Sequence, residues 1–167
     1  GFIRDYKGLK LLLNAFSKTD YRKLNLKLII AGEYYTDEKP YIDLIEQLQL
    51  IDHVVQFNQF IADENVKYYF SASDLLVQPY LHATQSGVSQ IAFQMNKPMI
   101  VTNVGGLPEM VNNGESGFIV EPDAQELADS IMAFYKSNLE QKFIENTKSE
   151  KQKYSWNSFV QAIEKLM

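Results

Sequence analysis

Hydrophobic and polar positions along this chain alternate between the periodicity of buried strands and that of amphipathic helices. Short, nearly continuous apolar runs predict strands buried on both faces, at residues 26–31, 54–57, 75–78, 99–102 and 117–120. Apolar positions at helical spacing predict helices near residues 7–17, 41–48, 63–70, 87–95, 108–111, 127–135, 139–151 and 156–167. Strands that alternate with helices indicate βαβ units. The predicted fold is therefore α/β, with a doubly wound parallel sheet.

A polar loop opens the predicted helix at residues 87–95, between two of the predicted strands. Its residues are Thr84, Gln85, Ser86 and Gly87. A loop at the carboxyl end of a parallel strand offers free N–H groups and the positive end of a helix dipole. Ligands of open α/β sheets bind at this edge. The pattern predicts a site for a phosphate-bearing ligand or, equally, a helix start that binds nothing.

Two cations, Arg4 and Lys7, lie beside the first predicted helix start and are followed by Gly8. The helix dipole disfavours positive charge at that end. An anionic ligand would resolve the conflict. The alternative is that both side chains are solvated surface cations.

Three further residue types near these loops are candidates for binding or capping. Gly105 and Gly106 permit either close approach of a ligand or a simple turn. Glu109 is interpreted first as a helix-capping residue and second as an acceptor for sugar hydroxyls, and Asp63 is interpreted as a helix cap. His82 lies in the polar loop, but a lone loop histidine is usually inert, so no catalytic role is assigned.

Composition excludes several classes of function. The chain has 167 residues, of which 46% are hydrophobic and 22% charged, which is typical of one folded domain. A net charge of −5 without a dense basic run argues against nucleic-acid binding. There is no cysteine and there are only two histidines, so no disulfide framework or thiolate metal site is expected. No apolar run approaches the ~20 residues of a membrane span, and a cytoplasmic location is expected.

The chain begins inside an apparent strand and without an initiator Met, which predicts a domain excised from a longer protein. Neither a P-loop nor a Gly-x-Gly-x-x-Gly motif occurs.

Five segments carry a resemblance to a known family. They are residues 1–8 (GFIRDYKG), 28–32 (LIIAG), 72–79 (ASDLLVQP), 97–109 (KPMIVTNVGGLPE) and 114–120 (GESGFIV). In this order they resemble the C-terminal half of the GT-B glycosyltransferases of family 4, often called the glycosyl transferase group 1 family. These are retaining enzymes with two Rossmann-like domains that face a cleft.

The resemblance implies that residues 1–167 form one Rossmann-like, nucleotide-sugar-binding domain, without the N-terminal acceptor domain. It implies donor diphosphate contacts from Arg4, Lys7, Thr84, Gln85, Ser86 and Gly87. It further implies nucleoside contacts from Phe60 and Ile61, and it leaves Gly105, Gly106 and Glu109 as candidates for the donor sugar.

The same resemblance implies a hexosyltransferase in glycan or cell-surface polysaccharide synthesis. Protein cations would replace a metal ion, and the nucleotide-sugar would be a substrate, so no cofactor is expected. An acceptor glycan or glycolipid would bind the N-terminal domain, and the full-length protein would associate peripherally with a membrane.

One departure from the family pattern concerns two glutamates separated by seven residues. Ala83 and Ile91 occupy those positions here, and neither side chain can accept a hydrogen bond. A one-residue shift would make Gln90 a ribose contact. Two alternatives therefore stay open, namely a degenerate, non-catalytic nucleotide-sugar or phosphate-binding module and an unrelated doubly wound phosphate binder.

Overall fold

The computed structural model describes residues 1–153 and Glu164. Within them the strands are β1 (Leu28–Ala31), β2 (Val54–Phe57), β3 (Leu76–Gln78), β4 (Met99–Thr102) and β5 (Gly117–Val120). The α-helices are α1 (Leu9–Ser17), α2 (Lys39–Gln47), α3 (Asp63–Ala72), α4 (Gly87–Gln94), α5 (Ala124–Lys136) and α6 (Glu140–Lys153). Short 3-10 helices cover Asp5–Lys7, Ile51–His53 and Leu107–Met110.

Every pairing between these strands is parallel. β1 pairs with β2, and β4 lies between β3 and β5, so the hydrogen bonds form one two-stranded and one three-stranded ladder. In the second ladder Val77 lies opposite Ile100, which lies opposite Phe118. The parallel α/β architecture predicted from the alternating periodicity is confirmed.

Helices cover both faces of β4, the most buried strand. Ile100 points into a core shared with α1, α2 and α5, whereas Met99 and Val101 point into a second core built mainly from α4 and the end of α3. Alternate side chains of a strand point to opposite faces. The two cores are therefore the two layers of a doubly wound fold, and they explain why the β4 sequence is apolar throughout.

Most predicted elements occur within a few residues of their expected positions, with three qualifications. α1 begins at Leu9 because a separate 3-10 helix, Asp5–Lys7, precedes it. Asp63 does not cap α3: it is the first helical residue, and Ala62 occupies the cap position without a side-chain hydrogen bond. Apart from Glu164, the helix predicted at residues 156–167 lies outside the described residues.

Residues 3–8 link the carboxyl ends of β1 and β3. The backbone N–H of Ile3 donates to the carbonyl of Glu33 (2.8 Å), and the N–H of Leu81 donates to the carbonyl of Tyr6 (2.7 Å). At Gly8, φ is +70°, and a Cβ would lie 1.9 Å from the carbonyl oxygen of Pro79. Only glycine fits this approach, so the turn that carries the two cations is held against the loop after β3.

No helix in the described part of the chain combines the length and apolar character needed to cross a bilayer.

Candidate functional site

The two predicted cations lie at either end of one short turn. Arg4 precedes the 3-10 helix in an extended conformation, Lys7 ends it, and the N–H of Lys7 donates to the carbonyl of Arg4 (2.9 Å). Both side chains are half-buried. Burial, and to a lesser degree the nearby charge of Arg4, lowers the pKa of the Lys7 ammonium. The two positive charges are therefore close enough to repel each other.

No carboxylate in the described part of the chain forms an ion pair with either cation. The Nε atom of Arg4 is buried and has no hydrogen-bond partner. Buried donors are normally paired, so an unpaired one needs an explanation. The two positive charges are therefore uncompensated by the described residues, and an anionic ligand beside them would relieve their mutual repulsion.

The loop at residues 79–86 lies directly beside these cations. The Lys7 ammonium nitrogen is 5.9 Å from the ring centroid of Tyr80, and the Leu81 N–H bond to Tyr6 joins the loop to the cationic turn. The cationic turn thus contacts the start of this loop, at Tyr80 and Leu81.

The amino end of α4 is open. Ser86 occupies the cap position, but its hydroxyl makes no cap bond to the helix and instead accepts a hydrogen bond from the buried side chain of Gln78 (2.8 Å). At Gly87 a Cβ would meet no atom within 4 Å. Thr84 and Gln85 are exposed beside it. The first N–H groups of α4 therefore lack a side-chain cap, and the surface at Gly87 is open.

Gly105 and Gly106 pack against the same loop. Gly106 N–H donates to the carbonyl of Thr84 (2.6 Å), and at Gly105, where φ is +52°, a Cβ would lie 1.8 Å from the carbonyl of Ala83. The glycine pair is required for close approach of two backbone segments. Glu109 is exposed and makes no cap bond, since Gly106 precedes the 3-10 helix Leu107–Met110 and no side chain caps it. The prediction that Glu109 caps a helix is wrong.

Gln90 lines a groove that does not include the two cations. Its side-chain amide donates to the sulfur of Met110 (3.4 Å), and it lines an open groove of about 510 Å³ together with Glu109 and Glu150. The residues that line this groove come from α4, α6 and residues 109–112, and they include neither Arg4 nor Lys7. The structure thus brings Gln90 together with Glu109 but not with the cationic turn.

Phe60 and Ile61 lie in the connection between β2 and α3. Phe60 is 72% exposed and Ile61 is half-buried. Among the described residues, no hydrogen bond or ring contact joins them to Arg4 or Lys7. They follow the carboxyl end of β2, the strand next to β1.

Neither of the two positions noted in the sequence carries a carboxylate: Ala83 lies in the loop before α4, and Ile91 lies on α4 itself. Ala83 is half-buried and Ile91 is 39% exposed, so an apolar side chain stands at the surface of α4. His82 is also exposed. Across residues 1–153 and 164, no group of three His, Cys, Asp or Glu side chains could hold a metal ion.

The sequence did not indicate Gln78 or Tyr35. Gln78 is buried at the end of β3, where its amide contacts Ser86 and accepts from the hydroxyl of Ser89 (2.5 Å). Tyr35 stacks on the guanidinium of Arg4, at 4.1 Å from the ring centroid to Cζ. A polar residue that ends an apolar strand was the available signal for Gln78, and Tyr35 had none.

Comparisons with known proteins identify the family to which the chain belongs. The model of the family described as "Glycosyl transferases group 1" matches residues 1–150. This match contradicts the alternative of an unrelated doubly wound phosphate binder.

Two curated relatives illustrate the similarity. An uncharacterized glycosyltransferase of Methanocaldococcus jannaschii is 28% identical over 158 residues, which cover 91% of this chain and 39% of that protein. The capsular polysaccharide biosynthesis glycosyltransferase CapM of Staphylococcus aureus is 33% identical over 132 residues, which cover 75% of this chain and 32% of CapM. The chain therefore spans well under half the length of these relatives.

A solved structure shows the same fold. Anabaena HepE, crystallised in complex with UDP, superimposes with a TM-score of 0.81 at 21% identity, over 99% of this chain and 46% of HepE. This likeness shows that the chain has the fold of one Rossmann-like domain of a GT-B glycosyltransferase. With the family model matching nearly the whole chain, the protein belongs to the glycosyl transferase group 1 family.

Proposed function

We propose that this chain is the C-terminal, donor-binding domain of a retaining family 4 glycosyltransferase. The observation that carries the proposal is the pair Arg4 and Lys7, two close cations without a carboxylate partner in the described part of the chain. They lie beside the loop before α4. Like charges that are partly buried favour an anion at the same place.

The donor diphosphate would lie between these two cations and the N–H groups at the start of α4. In the reaction the bond between the anomeric carbon and the phosphate oxygen breaks, and its electron pair stays on the leaving diphosphate. Positive groups that are already positioned at the developing charge lower the barrier to this step. The sugar passes to an acceptor hydroxyl with retention of the anomeric configuration, and protein cations take the place of a metal ion.

The remaining donor contacts follow from the same placement. Thr84, Gln85, Ser86 and Gly87 would contact the diphosphate, and Gly105, Gly106 and Glu109 would contact the donor sugar. Phe60 and Ile61 would contact the nucleoside. The complex of HepE with UDP supports a nucleoside diphosphate as the ligand class. Gln90, whose amide faces the groove near Met110, would contact the ribose.

The acceptor would be a glycan or glycolipid held mainly by an N-terminal domain outside this chain. The similarity to CapM supports a role in cell-surface polysaccharide synthesis. We propose that the transferred sugar is a hexose. We propose a cytoplasmic enzyme whose full-length form associates peripherally with a membrane. The 167-residue chain alone would bind donor weakly and transfer nothing.

A second candidate rests on Ala83 and Ile91. Neither supplies the carboxylate expected near the donor, and Ile91 exposes an apolar side chain on α4. This observation favours a non-catalytic module that retains phosphate binding but has lost transfer.

Calorimetry and a transfer assay distinguish the two candidates. We expect heat on titration of the protein with one of UDP, GDP or ADP or a corresponding nucleotide-sugar. Transfer is expected from the full-length protein and not from the 167 residues. Binding without transfer by the full-length protein would favour the non-catalytic module. Absence of heat with every nucleotide, at high protein concentration, would refute the donor-binding enzyme and likewise favour that module.

A further inference from the structure

The guanidinium of Arg4 is held by aromatic rings rather than by acids. Its Cζ lies 4.1 Å from the ring centroid of Tyr35 and 5.9 Å from that of Phe2. The two rings also meet edge to face, with centroids 6.2 Å apart. A planar guanidinium stacks well on aromatic faces, which attract cations through their quadrupole.

The backbone fixes the position of Tyr35 relative to Arg4. The N–H of Tyr35 donates to the carbonyl of Ile3 (3.1 Å), and Ile3 forms a parallel bridge with Tyr34. These contacts place residue 35 beside residue 4, although 30 residues separate them. Tyr35 itself is 63% exposed, so its ring contributes little to the hydrophobic core.

Holding the guanidinium in this way has an electrostatic consequence. A carboxylate partner would fix Arg4 but also neutralise it, whereas an aromatic ring restricts the side chain and leaves its full charge. No acidic side chain in the described residues pairs with Arg4. The charge is therefore both oriented and available.

We propose that Tyr35 is a positioning residue that orients the Arg4 guanidinium toward the donor diphosphate without neutralising it. The proposal rests on the proposed function, because it assumes that Arg4 binds the diphosphate. Tyr35 acts through Arg4 and need not touch the ligand.

The test is calorimetric titration of UDP into the protein and its Tyr35→Ala and Tyr35→Phe variants. Loss of an exposed cation–π contact should weaken UDP binding roughly two- to fivefold in Tyr35→Ala, whereas Tyr35→Phe, which keeps the ring, should bind like the unaltered protein. Tyr68→Ala is the matched control: Tyr68 is 61% exposed and lies 5.1 Å from the Lys67 ammonium, on α3. It should leave UDP affinity unchanged.

A double-mutant cycle separates positioning from direct contact. In an Arg4→Ala background, Tyr35→Ala should cause no further loss of UDP affinity. The proposal is overturned if Tyr35→Ala weakens UDP binding as much in the Arg4→Ala background as in the unaltered protein. It is also overturned if Tyr35→Ala alone leaves the UDP affinity unchanged. Both results would leave the proposed function intact. If the unaltered protein binds neither UDP nor any other nucleotide, the proposed function fails first and this proposal with it.

Discussion

The buried side-chain amide of Gln78 donates a hydrogen bond of 2.8 Å to the hydroxyl of Ser86, the residue that precedes α4. This bond diverts Ser86 from capping the helix, and the Ser89 hydroxyl donates to the same amide from the first turn (2.5 Å). One buried polar residue, Gln78, thus fixes the end of the loop before α4 through these two hydrogen bonds. The open helix start follows from this contact.

Replacing Gln78 should therefore destabilise the fold. Gln78→Met keeps the length of the side chain but leaves the hydroxyls of Ser86 and Ser89 without their partner. We expect a loss of about 1–3 kcal/mol in the free energy of unfolding, measured with urea. The control is Gln141→Met, since Gln141 bonds Glu145 on the exposed face of α6 and should change stability by no more than about 0.5 kcal/mol. Equal losses of unfolding free energy in the two variants would show that the buried hydrogen bonds of Gln78 stabilise the fold no more than an exposed one does.

Gly8 and Gly114 provide a matched pair for the backbone of the cationic turn. Both have positive φ, +70° and +78°, but a Cβ at Gly8 would meet the Pro79 carbonyl whereas one at Gly114 would meet nothing within 4 Å. Gly114→Ala should cost about 1–2 kcal/mol from the left-handed conformation alone. Gly8→Ala should cost clearly more, because the turn must also move away from β3. Urea unfolding of both variants measures the difference, and similar losses would contradict the close approach.

Removing either cation should weaken binding of UDP. Arg4→Ala and Lys7→Ala should each cost ~1.5–3 kcal/mol in binding free energy, the range for a charge-assisted contact. Lys10→Ala serves as the control, since Lys10 is an exposed cation on α1 whose ammonium lies over the Tyr41 ring. Isothermal calorimetry gives all three values. Unchanged affinity in both cation variants would place the diphosphate site elsewhere.

The affinity for UDP should also depend on alkaline pH through Lys7. Burial and the neighbouring Arg4 lower the pKa of Lys7, so its ammonium loses its proton at a lower pH than an ordinary lysine does. Since the charged form binds phosphate, affinity should fall as pH rises through that lowered pKa. Arg4→Ala removes one cause of the lowering and should move this fall to higher pH.

Titrations of UDP from neutral pH to about pH 10 test this prediction. The fall should be absent in Lys7→Ala. A profile that is identical in the unaltered protein and in Arg4→Ala would mean that the two charges do not interact.

Local patterns predicted the elements well where burial dictates composition. β4 was predicted at residues 99–102 because both of its faces are covered, so every side chain is apolar. Cap assignments failed where they depended on one backbone conformation: Ala62, not Asp63, adopts the extended cap geometry before α3. The capping role of Glu109 failed for the same reason, since Gly106 occupies the cap position.

Local sequence patterns predicted only some residues of the candidate site. Arg4 and Lys7 were identified because cations beside a helix start conflict with its dipole. Gln78 and Tyr35 were missed because a single buried polar residue and an exposed loop tyrosine carry no periodic signal. Their importance depends on which distant residue each one contacts.

The sequence by itself determined the order and type of the elements, the parallel α/β class and the presence of two cations near the amino end. Only the tertiary structure decided that those cations meet the loop before α4 and that Tyr35 lies on Arg4. The reason is physical: periodicity records which faces of an element are buried, within a few neighbouring residues. The contacts of Ile3 with residues 33–35 and of Tyr6 with Leu81 join segments far apart along the chain, and packing of the whole domain sets them.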